Sequence, residues 1–256
     1  MIEVKNIRKE FRLSKQQQKE LNTTETLSLA VNNISFTCTP GRVFSLLGAN
    51  GAGKTTVLRM LSTIYKPTAG SIEVAGIDAV KNPREARKKI GFLTGSTGLY
   101  ARLSPDELIS YFGQLYGVSR EKIESQKEKL YDLLDMHEFK HKRIGTLSTG
   151  MKQKVSICRT MVHDPEVVIF DEPTSGLDVI TAENSLQLIQ DCKNQGKTII
   201  FSSHIMSEVD LLCDDLAIIH KGNLLYSGTM TDFRSNMQTD NLTTEFIRIV
   251  KESSLS

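Results

Sequence analysis

One segment constrains this 256-residue chain more than any other: Gly48-Ala-Asn-Gly-Ala-Gly-Lys54-Thr55, which fits the spacing GxxxxGK[ST]. Glycines at this spacing let successive backbone N–H groups turn inward around phosphate oxygens with no Cβ in the way. An apolar run, Val43–Leu47, leads in from the Pro40-Gly41 turn, and helical spacing follows from residue 54 to about 64. Strand, glycine loop and helix in that order predict a nucleotide phosphate site in an α/β sheet. The helix N-terminus adds a favourable dipole for the anion. Gly48, Asn50, Gly51, Ala52, Gly53 and Thr56 would border the phosphates, Lys54 would neutralise the β- and γ-phosphates, and the Thr55 hydroxyl would sit on Mg²⁺.

Around this loop the chain alternates strand and helix. Ile2, Val4 and Ile7 alternate as in a half-buried strand. The polar stretch 14–28, rich in Gln, Lys and Thr, reads as an exposed insertion or hairpin tip, and residues 31–36 resume the sheet. A short strand over 71–75, a helix over 83–89 and a strand over 90–93 follow. Between about 96 and 148 strand signals vanish and apolar spacing turns helical. There Ser104-Pro105-Asp106-Glu107 supplies an N-cap, a proline at the first helical position and an acidic first turn. Alternation returns with strands over 167–170, 198–202, 216–220 and 224–228 and helices over 179–191 and 206–212. Buried strands separated by helices predict a largely parallel sheet covered on both faces. The end, 236–256, reads as an amphipathic helix (241–250) and a polar tail, with no motif.

The run 167–170 ends in two carboxylates, Asp171 and Glu172. A strand C-terminus beside a phosphate loop is where an α/β sheet places ligand chemistry. The two acids can divide the labour: Asp171 holds Mg²⁺, and Glu172 polarises an attacking water as general base.

Three further segments narrow the class. Leu147-Ser148-Thr149-Gly150-Met151-Lys152-Gln153 lies just before a helix. Pro173-Thr-Ser-Gly-Leu-Asp178 follows the acids directly, and His204 follows the strand after them. With the phosphate loop, this order resembles the ABC ATPase family from residue 1 to about 230. The resemblance implies a P-loop NTPase core with a mainly parallel sheet, an antiparallel β subdomain and a helical insertion. One ATPase domain would span 1–235, with core 1–95 and 149–235 and a helical subdomain at about 96–148. It implies ATP as ligand with Mg²⁺, and a second ATPase subunit completing a dimer that sandwiches two ATP molecules. Ser148, Thr149 and Gly150 would receive the γ-phosphate of the partner's ATP, His204 would contact the γ-phosphate and help align Glu172, and Asp178 would bridge the dimer. Phe11 matches the aromatic that stacks on adenine, although it could equally be core. The signature loop departs from the family's LSGGQ at Thr149 and Met151. Gly95 stands where the family places a glutamine that touches Mg²⁺. The segments IGFLTGSTGLYARLSPDEL, LSTGMKQKVSICRTMVHDP and SSHIMSEVDLLCD resemble the NatA-type ATPases of sodium-extruding systems, in which that glutamine is commonly missing.

Composition supports a cassette working through a partner. Net charge is +2, from 32 basic and 30 acidic residues, so no electrostatic footprint points to nucleic acid. No run approaches the ~18 apolar residues needed to span a bilayer. A transport role therefore requires a separate transmembrane permease subunit, with the chain peripheral on the cytoplasmic face of the cell membrane. The exposed residues Tyr100, Leu103 and Tyr111 of the helical insertion are candidates for docking it. The four scattered cysteines read as buried or semi-buried thiols. A kinase or GTPase is disfavoured by the signature loop and by the lack of an NKxD motif, and a non-transport ABC ATPase working on DNA or ribosomes by the single cassette without sustained heptads or a basic tract; an importer cassette or a drug, lipid or peptide exporter would carry the same motifs. Because a water, Thr94 or Ser96 can fill the coordination position at Gly95, Gly95→Gln is expected to leave ATP hydrolysis within a few-fold of wild type in a steady-state phosphate-release assay.

Overall fold

Continuous apolar runs have no polar face to offer solvent, and the chain buries them at the centre of a six-stranded sheet. The computed structural model describes residues 1–20, 22–94, 98–175 and 179–253, the side chain of residue 180 excepted. In chain order, β1 (Ile2–Arg12), α1 (Lys15–Glu20) and β2 (Leu27–Cys38) precede β3 (Val43–Leu47) and α2 (Lys54–Leu61). Next come β4 (Ala69–Val74), β5 (Ile77–Asp78), α3 (Pro83–Lys88) and β6 (Ile90–Thr94). A helical stretch, α4 (Pro105–Leu115) and α5 (Arg120–Leu134), leads through a short 3₁₀ turn, Ile144–Thr146, into α6 (Thr149–Met161). The remainder is β7 (Val167–Asp171), α7 (Val179–Asn194), β8 (Thr198–Ser203), α8 (Met206–Leu212), β9 (Asp215–His220), β10 (Asn223–Thr229), α9 (Met230–Ser235) and α10 (Leu242–Ser253).

The large sheet runs β10-β9-β3-β8-β7-β6. All its neighbours are parallel except the β9–β10 hairpin. A second, antiparallel sheet has the order β2-β1-β4-β5. The period of two along each strand divides the large sheet between two cores. Phe44, Leu46, Val167, Ile169, Ile200, Ala217 and Ile219 face α2 and the antiparallel sheet. Val43, Leu47, Val168, Phe170, Ile199, Phe201, Leu216 and Ile218 face the cluster that holds α4 to α8. Both faces are covered, as the apolar runs require.

Local chemistry sets the helices. Ser104 forms a full capping box: its Oγ accepts from Glu107 N at 3.3 Å, and Glu107 Oε2 accepts from Ser104 N at 2.8 Å. Lys127 of α5, 2% exposed, reaches Asp106 Oδ1 at 2.6 Å and donates to Ser110 Oγ at 3.0 Å, tying α5 to α4. Two sequence expectations need correction. The helix after the glycine loop stops at Leu61 rather than near Ile64, because Thr63 adopts a left-handed φ of 61° and Ile64 is exposed, so extension would bury nothing. Leu103 is half-buried and packs on the helical core, whereas Tyr100 and Tyr111 are exposed as expected. The polar stretch after β1 is a hairpin tip, and it carries α1. The C-terminal segment is docked: Leu242 is buried, Phe246 and Ile249 pack on the core, and the buried Glu245 carboxylate is held by Arg248, Gln238 N and Thr239 Oγ1. No described helix is long and apolar enough to cross a membrane. The four cysteines are unpaired, three of them buried and Cys213 half-buried.

One histidine fastens the helical stretch to the large sheet. His163 stacks on Tyr116, the C-cap of α4, with ring centroids 3.7 Å apart, and its Nε2 donates to the Ile90 carbonyl of β6 at 3.1 Å. Burial pushes its pKa down to about 4 from an ordinary 6.5, against the Ile90 hydrogen bond, which favours the protonated ring. A base whose folded pKa is depressed contributes stability that is present above the unfolded pKa and is lost as pH falls through the folded one. Urea titrations between pH 6.5 and 4 are expected to show wild type losing up to about 3 kcal/mol more than His163→Phe, which keeps the stack and removes the titration.

Candidate functional site

Parallel strands finish on the same edge of a sheet, and here that edge gathers the candidate residues. Leu47 pairs with Ser203, and Ser202 pairs with Asp171. The glycine loop, His204 and Glu172 therefore emerge from three adjacent strand ends, β3, β8 and β7. The loop delivers Lys54 as the first residue of α2, with Gly53 as N-cap at φ 110°.

Lys54 is 5% exposed, and its Nζ donates to the carbonyls of Gly48 and Ala49 at 2.6 and 3.3 Å. Its Nζ also lies 3.7 Å from Glu172 Oε1. Burial pulls this ammonium below its ordinary range, while the Glu172 and Asp171 carboxylates push back. The same Glu172 oxygen lies 3.3 Å from His204 Nδ1. Glu172 thus stands between a cation and an imidazole, with a left-handed φ of 51°. Such a backbone is uncommon for a side-chain-bearing residue and costs on the order of 1–3 kcal/mol. Two hydrogen bonds hold it there: Glu172 N donates to Ser202 O at 3.2 Å and to Ser202 Oγ at 3.1 Å.

Asp171 sits beside this pair. Its Oδ1 accepts from Thr55 Oγ1 at 3.1 Å and from Ser202 Oγ at 2.8 Å. Thr55 and Asp171 together present only oxygen donors, the set that a hard divalent cation such as Mg²⁺ prefers. A cavity of about 460 Å³ opens over the glycine loop and is lined by residues 49–56, Glu172, Ser28, Leu29, Ala30 and Lys221. A polar loop of backbone amides, one buried ammonium and a carboxylate poised beside an imidazole can bind a polyphosphate and activate a water against it.

The structure brings Asn50, Gly51, Ala52, Gly53, Lys54, Thr55, Thr56 and Glu172 together around this cavity, with Gly48, Asp171 and His204 in contact with that group. Phe11, expected to face the adenine rather than the phosphates, lies outside this lining. The Phe11 ring packs edge-on against Tyr65, centroids 5.4 Å apart, with the Lys9 ammonium over it. Ser148, Thr149 and Gly150 are also absent from the cavity wall. Ser148 caps α6, its Oγ accepting from Met151 N at 3.2 Å, and is exposed. Gly95 and Asp178 lie outside the described residues. Sequence reasoning missed Ser28, Leu29, Ala30 and Lys221. Lys221 belongs to the tight turn between β9 and β10, and nothing in a two-strand turn signals a distant partner. The turn reaches the cavity by tertiary bonds: Gly222 N donates to Ala52 O at 2.9 Å, and Asn32 N donates to Gly222 O at 2.8 Å. Glycine is needed here, since a Cβ at Gly53 or Gly222 would stand 2.7 or 2.9 Å from the Ala30 carbonyl oxygen.

Comparison with known proteins agrees with this geometry. The sequence profile of the family described as ABC transporter matches residues 31–175. The ABC transporter ATP-binding protein NatA of Bacillus subtilis (strain 168) is 44% identical over 214 residues, 83% of this chain and 87% of that protein. The linearmycin resistance ATP-binding protein LnrL of the same organism is 34% identical over 212 residues, 83% of this chain and 68% of that protein. A solved structure described as the ATP-binding subunit of an ABC transporter has a TM-score of 0.84 at 25% identity, covering 97% of this chain and 99% of that one. The mixed sheet, antiparallel subdomain and helices are those of the ABC ATPase fold.

Among the described residues, the Lys221 ammonium has no carboxylate partner, and Lys221 lines the cavity. A charge-assisted bond to a nucleotide contributes about 1.5–3 kcal/mol. Lys221→Ala is therefore expected to weaken ATP affinity by roughly 10- to 150-fold, measured by fluorescence titration with a labelled nucleotide, and to leave the melting temperature unchanged.

Proposed function

This chain belongs to the ABC transporter family as an ATP-binding subunit with ATPase activity, and on that footing we propose that it drives sodium ion efflux through a separate transmembrane permease. The observation that carries the catalytic part is the convergence on one oxygen, Glu172 Oε1, of Lys54 at 3.7 Å and His204 at 3.3 Å. The loop amides and Lys54 bind the ATP phosphates and draw charge toward the γ-phosphoryl group. Glu172 orients a water in line with that group and accepts its proton as the water oxygen bonds to phosphorus and the bond to ADP breaks. His204 aligns the Glu172 carboxylate and contacts the γ-phosphate. Thr55 and Asp171 would hold Mg²⁺, which supplies positive charge beside the phosphate oxygens when bound.

The site is completed by a second copy of the subunit. Ser148, Thr149 and Gly150 open α6 on an exposed surface, where hydroxyl, amides and helix dipole can receive the γ-phosphate bound to the partner, and Asp178 bridges the two copies. ATP binding closes this dimer and hydrolysis reopens it, which does work only because the two states differ in affinity for ATP and permease. The permease docks on the helical segment 96–148, where Tyr100 and Tyr111 stand exposed with ring centroids 6.5 Å apart. In this arrangement the chain sits on the cytoplasmic face of the membrane and touches it only through the permease.

Sodium as cargo rests on the NatA-like segments spanning residues 90–108, 147–165 and 202–214. A second reading, export of a drug, lipid or peptide, is favoured by the likeness to a linearmycin resistance protein. Everted vesicles containing the chain and its permease decide between them. ATP-driven ²²Na⁺ uptake that disappears in Glu172→Gln is the expected result, and hydrolysis without sodium movement points to the second reading. In the same variant hydrolysis should fall about 10²–10⁴-fold, and size-exclusion chromatography should find an ATP-dependent dimer.

A further inference from the structure

The Glu172–His204 contact joins two loops, and beyond the Ser202 bonds to Glu172 N a further group ties those loops together. Glu172 begins the turn after β7, which continues through Pro173 and Thr174. His204 leaves β8 directly after Ser203. Ser202 ties the start of the first loop to the end of β8 through Glu172 N, and beyond that junction the two loops are not regular elements and depend on side chains that span them.

Glu208, in the first turn of α8, spans both. One carboxylate oxygen, Oε1, accepts a short hydrogen bond from Thr174 Oγ1, two residues beyond Glu172. The other, Oε2, accepts from Ser203 Oγ at 2.7 Å, one residue before His204. Ser203 Oγ in turn accepts from Ile205 N at 3.0 Å, which closes the backbone around His204 from its far side. All three side chains are buried: Thr174 is 7% exposed, Ser203 2% and Glu208 8%. Among the described residues no lysine, arginine or histidine pairs with Glu208. A carboxylate removed from water without a counter-ion is costly to retain and needs directed hydrogen bonds. Here both bonds go to the two loops that carry the proposed base and its histidine.

We infer that Glu208 is a positioning residue for hydrolysis: it clamps the Thr174 and Ser203 loops together and so sets the 3.3 Å approach of His204 to Glu172. The inference rests on the proposed roles of those two residues. The clamp's hydrogen bonds go to Thr174 and Ser203 and not to the glycine loop, so Glu208 governs turnover rather than ATP binding. Misplacing a catalytic group by about 1 Å can cost on the order of 100-fold in rate.

The test measures kcat and KM for ATP hydrolysis, equilibrium ATP binding and the melting temperature for Glu208→Ala, Glu208→Gln, Thr174→Val, Ser203→Ala and Glu172→Gln. Glu208→Ala is expected to lower kcat at least tenfold with ATP affinity within threefold of wild type. Glu208→Gln, whose amide oxygen can still accept one of the two bonds, should restore part of the rate. Adding Thr174→Val to Glu208→Ala should cost little more, because both changes break one linkage. If Glu208→Ala fails to fold, Thr174→Val carries the same expectation on its own: reduced kcat with binding and melting temperature preserved. A lowered melting temperature with kcat unchanged, or a parallel loss of binding and kcat, overturns the positioning role. Glu172→Gln separates the two levels: retained hydrolysis in that variant defeats the reading of the site itself, whereas lost hydrolysis beside an active Glu208→Ala defeats only the clamp.

Discussion

A single buried hydroxyl joins the strand ends on which the chemistry sits. Ser202 Oγ donates to Asp171 Oδ1 and accepts from Glu172 N, while the Ser202 carbonyl accepts from the same amide. Asp171 is thereby fixed toward Thr55, and Glu172 is held in a left-handed conformation that it would not adopt unaided. Without that hydroxyl, Asp171 would lose a neighbour and the Glu172 backbone would keep only its bond to a carbonyl. The oxygen can do this because β7 and β8 are paired and parallel in register, so that Ser202 stands opposite Asp171.

That register follows from burial. The strands β3, β7 and β8 are apolar on both faces, and each alternate set of side chains finds its own core. A slip of one residue would exchange the two sets, sending Phe170 and Phe201 toward α2 and Ile169 and Ile200 toward the helices. Packing at native density tolerates such an exchange poorly. The hydrophobic pattern of the sheet therefore positions the polar edge, although no apolar residue touches the reacting groups.

Much of this was legible in the sequence, for reasons that differ from residue to residue. Lys54, Thr55, Asp171 and Glu172 could be placed because each sits at a strand–loop junction whose geometry follows from local spacing. The capping box at Ser104 and Glu107 could be placed because it is built from residues three apart. The ring partner of Phe11 could not, since Tyr65 comes from a turn far along the chain and the polar stretch after Phe11 leaves the hairpin register open. Ser28 to Ala30 and Lys221 were invisible for a related reason: their place at the cavity depends on contacts between the β9–β10 turn, β2 and the glycine loop. The end of α2 was overrun because an apolar residue at helical spacing, Ile64, proved to be exposed. Sequence pattern reports burial on one element at a time, and it is silent where three elements meet.

The two glycines that crowd the Ala30 carbonyl have a mechanical corollary. With no Cβ to hold them apart, the phosphate loop, β2 and the β9–β10 turn interlock around one peptide oxygen and stiffen one another. The helical stretch is fastened differently at His163, by a ring stack and one hydrogen bond. By contrast, a displacement of the phosphate loop, β2 or the β9–β10 turn must carry the Ala30 carbonyl, and with it the other two.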